Sequence, residues 1–305
     1  MDPVRVPPHV FALDETSLTY LSLDEGGELY CRDCLVESLA EDCFQAGPLG
    51  GRLRDQENLS GAVEALLGNL IRRPAEASLV VPDSWMRLTF VDSEEWPRRR
   101  EEQLEVLRFK LGRIVPFRVE ELRIAAEPVP AVEGGGSHRF LVAFAIDSAL
   151  VQVEEAFEDH GVRIGNVSNQ SLSLFSALAP GLASPPLGVV VRVDDERYSL
   201  IVTRQGEPAV YRSKTHAIGS SMAPVGRELR LTRSFLQERV PPGIVSEIIL
   251  AAPDAREGEW STLLEEVFER PVASLDREWP SIPGLVHLTT HDAAPLLGAA
   301  LREVA

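Results

Sequence analysis

Cysteine is scarce. Cys31, Cys34 and Cys43 are the only three in 305 residues, and an odd number in a chain this long excludes a disulfide framework. Long apolar runs are missing as well. A membrane-spanning helix needs about 20 apolar residues, and the strongest runs here, Phe140 to Ile146 and Leu187 to Val191, are far shorter. The N-terminus, MDPVRVPPHVFALDE, places no apolar stretch behind a basic start, so no secretory signal is expected. Positive charge is outnumbered: 30 Lys and Arg against 47 Asp and Glu leave a net charge of −17. Such a surface repels phosphate on average, and a nucleic-acid role would need a strong local exception. These absences lead to the expectation of a cytoplasmic chain that does not span a membrane.

What remains is the composition of a folded protein, 44% hydrophobic and 25% charged with 22 Gly and 22 Pro. At about 150 residues per domain, two domains are expected. The opening reads as three strands, 9–13, 18–23 and 28–36. A helix near 59–73 follows, with Ser60 as its cap and Val63, Leu66, Leu67, Leu70 and Ile71 on one face. A strand, ASLVVPDS, ends at Pro82. Residues 187–252 repeat that order: strands 187–193, 197–204 and 207–212 with a Gln205-Gly206 turn, a helix at 222–240 stopped by Pro241-Pro242, and a strand at 245–252. Ser220 or Ser221 suits the N-cap of that helix. Three meandering strands, a helix and a returning strand, met twice, predict a duplicated α/β architecture.

Different material separates the copies. A strand at 85–92, a helix at 94–114 striped by Leu104, Leu107, Leu111 and Ile114, strands 121–129 and 138–146 around a Gly134–Gly136 loop, and a helix from an Asp147 N-cap to Gly161 read as a small inserted subdomain. The predicted division is 1–84 plus 165–182 for the first half, 85–164 for the insert and 187–305 for the second half with a C-terminal helix, hinged at 179–188.

Metal and nucleophile chemistry find little support. Cys31-x-x-Cys34 has zinc half-site spacing, but further ligands are distant, and in a strand that spacing puts the two thiols on opposite faces. His287 and His291 lack the Glu of a His-Glu-x-x-His site, and Thr289-Thr290 disfavour a helix there. Neither Gly-x-Ser-x-Gly nor a Cys/His pair with an orienting acid occurs. The local exception in charge is Arg98 to Arg123, with eight basic residues against five acidic. It reads either as a solvated helix with its own i, i+3 and i, i+4 pairs or as a docking surface for an acidic segment or an anionic inner leaflet. Aromatics are not interleaved as a nucleic-acid stacking platform requires.

The run 80–129, VVPDSWMRLTFVDSEEWPRRREEQLEVLRFKLGRIVPFRVEELRIAAEPV, resembles PilM, the actin-like type IV pilus assembly family. The shared features are a strand ending in Pro-x-Ser, an acidic helix start, Leu-x-x-Lys-Leu, and Pro116-Phe117 before Val-Glu-Glu. FLVAFAIDSALVQVEEAFEDHGVRIGNVS, YRSK (211–214), the Arg-Glu-Leu-Arg helix (227–230) and LLGAALRE (296–303) extend the resemblance over most of the chain. GspL of type II secretion is a related alternative, normally continuing into a membrane segment.

The resemblance implies an actin/Hsp70/sugar-kinase fold with a nucleotide cleft between its halves. It also implies a PilN-like bitopic inner-membrane partner, whose cytoplasmic tail lies in a groove between the first half and the insert, and hexameric assembly ATPases nearby. The phosphate hairpins of such a cleft need an Asp and a bare Gly. At the first, Asp14, Thr16 and Ser17 stand where Asp-x-Gly-Ser-Ser is expected. The second reads Asp194-Asp195-Glu196, and two such charges at 4 Å repel by about 4 kcal/mol. The adenosine loop is Ala251-Ala252-Pro253 in place of glycines. The expectation is a pseudo-ATPase and not an enzyme, with no metal and with ATP and Mg disfavoured as cofactors. Nucleotide-binding actin-like ATPase is the alternative. For the partner groove, position in the insert points to Trp85, Arg87, Phe109, Arg113 and Phe117, with core packing the other reading of the three aromatics.

Overall fold

The computed structural model describes residues 4–5, 7–24, 30–45, 52–116, 118–131, 138–179, 181–183, 186–216, 219, 221–278, 282–301 and 303–304. Phe117, Ser220, the Gly134–Gly136 loop and residues 180, 184 and 185 of the expected hinge lie outside the described residues.

The chain begins with strands β1 (His9–Leu13), β2 (Ser17–Asp24) and β3 (Tyr30–Ser38), helix α1 (Gln56–Gly68) and strand β4 (Glu76–Val81). Then come β5 (Met86–Ser93), α2 (Arg100–Leu111), β6 (Leu122–Val129) and β7 (His138–Ile146), followed by α3 (Asp147–Glu158), β8 (Arg163–Asn169) and α4 (Gln170–Leu178). The rest consists of β9 (Gly188–Val193), β10 (Arg197–Arg204), β11 (Glu207–Thr215), α5 (Ala223–Arg239), β12 (Glu247–Ala251), α6 (Asp254–Phe268), β13 (Ala273–Ser274), α7 (Leu275–Glu278) and α8 (Thr290–Leu301).

Two five-stranded sheets share one topology. The first runs β8-β4-β1-β2-β3 and the second β13-β12-β9-β10-β11. In each, three antiparallel strands meander and the fourth and fifth join parallel to the first. The repeat read from periodicity is therefore present in space. A third sheet, β5-β7-β6, belongs to the insert.

Both faces of each large sheet are covered, which is why β2 and β9 are buried almost throughout. One face of the first sheet packs Phe11, Tyr20 and Leu79 against Val63 and Leu67 of α1 and Val153 and Phe157 of α3. Helix α3 thus contributes to the core of the first half, although the sequence groups it with the insert. The matching face of the second sheet packs Val191 and Leu200 against Leu229 of α5 and Trp260 of α6. The remaining faces are exchanged. The C-terminal helix α8 lies under the first sheet, with Ala293, Leu296 and Leu297 against Val10, Leu21 and Val80. Helix α4 lies under the second, with Leu174 and Phe175 in one cluster with Val190 and Ile249. The two helices meet so closely that a Cβ on Gly298 would stand 1.8 Å from the Ser173 carbonyl oxygen.

Several local expectations change. Helix α1 starts at Gln56, not near 59, because Asp55 accepts from the Asn58 amide at 2.9 Å as its N-cap. Ser60 instead bonds His160 Nε2 at 2.8 Å. The helix is over before Ile71, which is fully exposed: it ends at Gly68, where the Asn69 side chain donates to the Ala65 carbonyl at 3.1 Å. Helix α2 is shorter than 94–114, because Pro97 precedes it and its carbonyl is taken by the Gln103 side chain at 2.8 Å; Ile114 falls beyond its end and is exposed. Asp147 is the first residue of α3 and not its cap. The apolar residues of the helix expected at 222–240 do not share one face: Val225, Leu229 and Leu236 of α5 are buried, while Leu231 and Phe235 are exposed. The thiols of Cys31 and Cys34 share a face. The β2–β3 register shifts between Ser22 and Leu23, leaving Arg32 unmatched, and this bulge turns both cysteines into the core beneath α8.

Candidate functional site

Two places between the layers collect polar chemistry: the cleft where the two hairpin turns meet, and a groove beside the insert. In the first turn the Asp14 amide donates to the Ser17 carbonyl at 2.9 Å, and the Asp14 carboxylate accepts from the Glu15 amide at 2.7 Å. The Thr16 carbonyl accepts from the Leu39 amide at 2.8 Å, and the Asp14, Glu15 and Thr16 side chains are exposed. In the second turn the Asp194 amide donates to the Arg197 carbonyl at 2.8 Å. The turns oppose one another: burial, then Asp14, then Glu196 of the other turn push the Glu15 carboxyl up from its ordinary value.

Between them sits Arg192, near the end of β9 and buried. Its guanidinium pairs with Asp194. Burial alone would lower its pKa, yet Asp194, Asp83 and Asp14 together overcome burial and raise it. Asp83, also buried, accepts from the Ser171 amide at 2.9 Å and from the Ser171 hydroxyl, while Asn169 caps α4 by accepting from the Leu172 amide at 2.8 Å. One cation of the second half is thus set among carboxylates of both halves. Sequence reasoning missed Arg192 and Asp83; the signal was an Arg inside the otherwise apolar strand Leu187–Val193. On the adjoining side, His291 Nε2 bonds the Val193 carbonyl at 2.9 Å and Nδ1 bonds the Asp292 carboxylate at 3.1 Å. The His291 bond is the main reason Asp292 lies below the ordinary carboxylate range.

Ala251 does not line the cleft. It is buried in the core shared with α4. Ala252, with Asp254, Glu257 and Asp276, borders a cavity of only about 10 Å³, room for about one water. Among the described residues no group of three or more His, Cys, Asp or Glu is arranged to hold a metal ion.

The groove is larger, about 300 Å³, and lies between the β6–β7 face of the insert and α3 and β8 of the first half. Its size has a simple origin. The cross-strand partners facing it are Ala143 opposite Ala125 and Ala145 opposite Arg123, so methyl groups stand where branched side chains would fill the space. Arg123 bridges its edge, donating to Asp147 at 2.7 Å and bidentately to Glu154, at 2.9 Å for the Nη2 bond; these bonds, the Glu154 one foremost, raise its pKa despite partial burial. On the opposite wall β8 is bulged at Gly165. The Nδ2 group of Asn166, buried there, finds no hydrogen-bond partner among the described residues. Strands β6 and β8 are both edge strands of their sheets.

Of the five residues marked for a partner groove, Phe117 lies outside the described residues, and the other four do not line one groove. Trp85 is buried in the first core, edge-on to Phe44 at 5.1 Å. Arg87 is exposed on β5, where partial desolvation first and Arg197 second lower its pKa. Phe109 and Arg113 are exposed on and just beyond α2, the guanidinium 4.6 Å over the ring. The residues that do line the groove went unmarked because their signal, Ala143 and Ala145 at alternate positions of one strand with Ala125 on the next, has meaning only once the strands are paired.

No family model and no curated protein matches the chain. Solved structures do. The fold is that of the actin-like proteins: a Bacteroides thetaiotaomicron protein with an actin-like ATPase fold and unknown function superposes with a TM-score of 0.52 at 11% identity, over 88% of this chain and 90% of that one. More particularly, the chain is similar to a chain of the PilM–PilN type IV pilus biogenesis complex, with a TM-score of 0.76 at 16% identity, over 98% of this chain and 97% of that one.

Proposed function

We propose that this protein is a non-catalytic adapter of a type IV pilus assembly machine, binding the cytoplasmic N-terminal tail of a PilN-like inner-membrane protein in the groove beneath the insert. The observation that carries this reading is the groove itself: an alanine-walled channel between two edge strands, with the unpartnered Asn166 amide on one wall. An extended peptide supplies what such a channel lacks, a strand to pair with a free sheet edge and side chains for the space over Ala125 and Ala143. Near-full-length likeness to the PilM–PilN structure supports the same assignment. The protein is then peripheral to the inner membrane through its partner, on the cytoplasmic side, where it relays the state of hexameric assembly ATPases. Among the described residues no helix is long and apolar enough to cross a membrane.

The cleft fits a scaffold better than an ATPase. Arg192 is already paired with Asp194, which leaves the surrounding carboxylates an excess of negative charge that repels phosphate, and the space by Ala252 is far below that of a purine. The test is calorimetric titration with a peptide of the partner's N-terminal tail. Tighter binding than a scrambled peptide, lost in Ala125→Trp, is expected; equal binding of both peptides would sink the adapter reading. Titration with Mg-ATP to millimolar concentration is expected to give no heat, and a micromolar dissociation constant would restore the nucleotide-binding alternative.

A further inference from the structure

The end of α2 carries a surface that neither the groove nor the cleft explains. Phe109 and Ile114 are 61% and 59% exposed there, and the cations Arg108, Lys110, Arg113 and Arg118 surround them within eleven residues of chain. The carboxylates nearby are engaged or few. Glu105 pairs with Arg108 at 3.0 Å and Glu121 with Arg118 at 3.6 Å, which leaves Glu120 against Lys110 and Arg113. Arg113 stacks on the Phe109 ring at 4.6 Å, so one cation and one aromatic ring are presented together. A second exposed apolar pair, Leu231 and Phe235 on α5, also has a cation over its ring, Arg212 at 5.2 Å from Phe235, but differs in the charges beside it. The neighbouring Arg230 and Arg233 are matched by Glu266 at 2.6 Å and Glu269 at 2.9 Å.

We infer that the α2 tip is a membrane-surface site, taking the phosphate groups of anionic phospholipids on Lys110 and Arg113 while Phe109 and Ile114 enter the interface. The rest of the molecule favours this occupant by contrast. In a chain of net charge −17, an anionic bilayer repels most of the surface and admits this one, which sets a single orientation. The tip is also continuous with the groove: the short turn Val119–Glu121 leads into Leu122, buried under α2, and Arg123, which bridges the groove edge. A bound tail would therefore run beside the tip, and tail and lipid contacts would reinforce one another. This inference rests on the adapter reading for its setting, but its test does not.

The experiment is flotation of the full chain with vesicles of phosphatidylcholine alone or with 30 mol% phosphatidylglycerol, in low salt and in 0.5 M NaCl. Binding to the anionic vesicles only, abolished by salt, is expected. At about fivefold per cation, Lys110→Glu with Arg113→Glu should weaken it by at least about 25-fold, and Phe109→Ser several-fold, with unchanged thermal melting. No anionic binding, equal binding to neutral vesicles, or indifference to these changes would overturn the site. So would capture by polyglutamate without vesicle binding, which would assign the tip to an acidic protein segment. Free inorganic phosphate as the occupant predicts millimolar phosphate protection in the melt without flotation, and that result also overturns it. The tail-peptide titration, run on the same variants, reports separately on the adapter reading.

Discussion

The two halves of the molecule have the same strand order, β8-β4-β1-β2-β3 and β13-β12-β9-β10-β11, and each covers one sheet face with two helices of its own. They part company at equivalent places. Between its fourth and fifth strands the second half has only α6, whereas the first half has the whole β5-α2-β6-β7 insert before α3. At the first hairpin turn the first half presents exposed Asp14 and Glu15, while the second presents Asp194 tied to a buried Arg192. The difference teaches that a duplicated scaffold keeps what its core demands and diverges where chain leaves the sheet: loops accept insertions cheaply, and charge can be redistributed across the shared cleft.

Arg192→Met should break the comparison most. Removing this buried cation leaves Asp194 without its partner and the buried Asp83 without a compensating charge, and a loss of about 3–5 kcal/mol in urea denaturation is expected. Retention of full stability would mean that the two halves are not coupled through this side chain. Next in size is Gly298→Val, which forces α8 away from the Ser173 carbonyl and disturbs both sheets' exchanged faces at once. A loss of about 3 kcal/mol is expected, seen as loosened protection in both halves by hydrogen exchange.

Smaller changes sharpen the contrast between α1 and its counterpart α5. Asp55 caps α1 through the Asn58 amide, but Met222 makes no side-chain cap to α5. Asp55→Ala should cost about 1 kcal/mol, and Met222→Ala markedly less; equal costs would show that the cap is immaterial. The smallest effect is Glu15→Gln. Burial, Asp14 and Glu196 raise the Glu15 carboxyl above its ordinary value of 4.5, so its charged form disfavours the folded state. That penalty is fully present above the folded-state pKa and disappears as pH falls below 4.5. The variant should gain under about 1 kcal/mol at pH 7 and nothing at pH 3.5, as thermal melting at the two pH values would report.

Much of the fold was legible along the chain. Strands β1, β7 and β10 fall where alternation and β-branched runs place them, Gln205-Gly206 makes the expected turn with positive φ at both residues, and Pro82 and Pro241-Pro242 close their elements. Helix ends were harder: at α1 a stronger cap upstream and a side-chain cap at Asn69 downstream both competed with the apolar stripe. The opposite-face reading of Cys31 and Cys34 failed for a different reason, since a bulge at Arg32 adds one residue and the side-chain period of a strand is two. Of the site, Asp14 and Asp194 were legible as hairpin turns. Trp85, for all its size, proved to be core.

Periodicity and turn chemistry act between neighbours in sequence, so they were enough to specify the repeat, its strands and helices, and the acidic character of the hairpin loops. Exchange of α4 and α8 between the sheets, the meeting of Arg192 with Asp83 and the opening of an alanine-walled groove between β7 and α3 were decided only by packing. Each depends on groups brought side by side by the pairing and stacking of whole elements, and no local preference of either group encodes its partner.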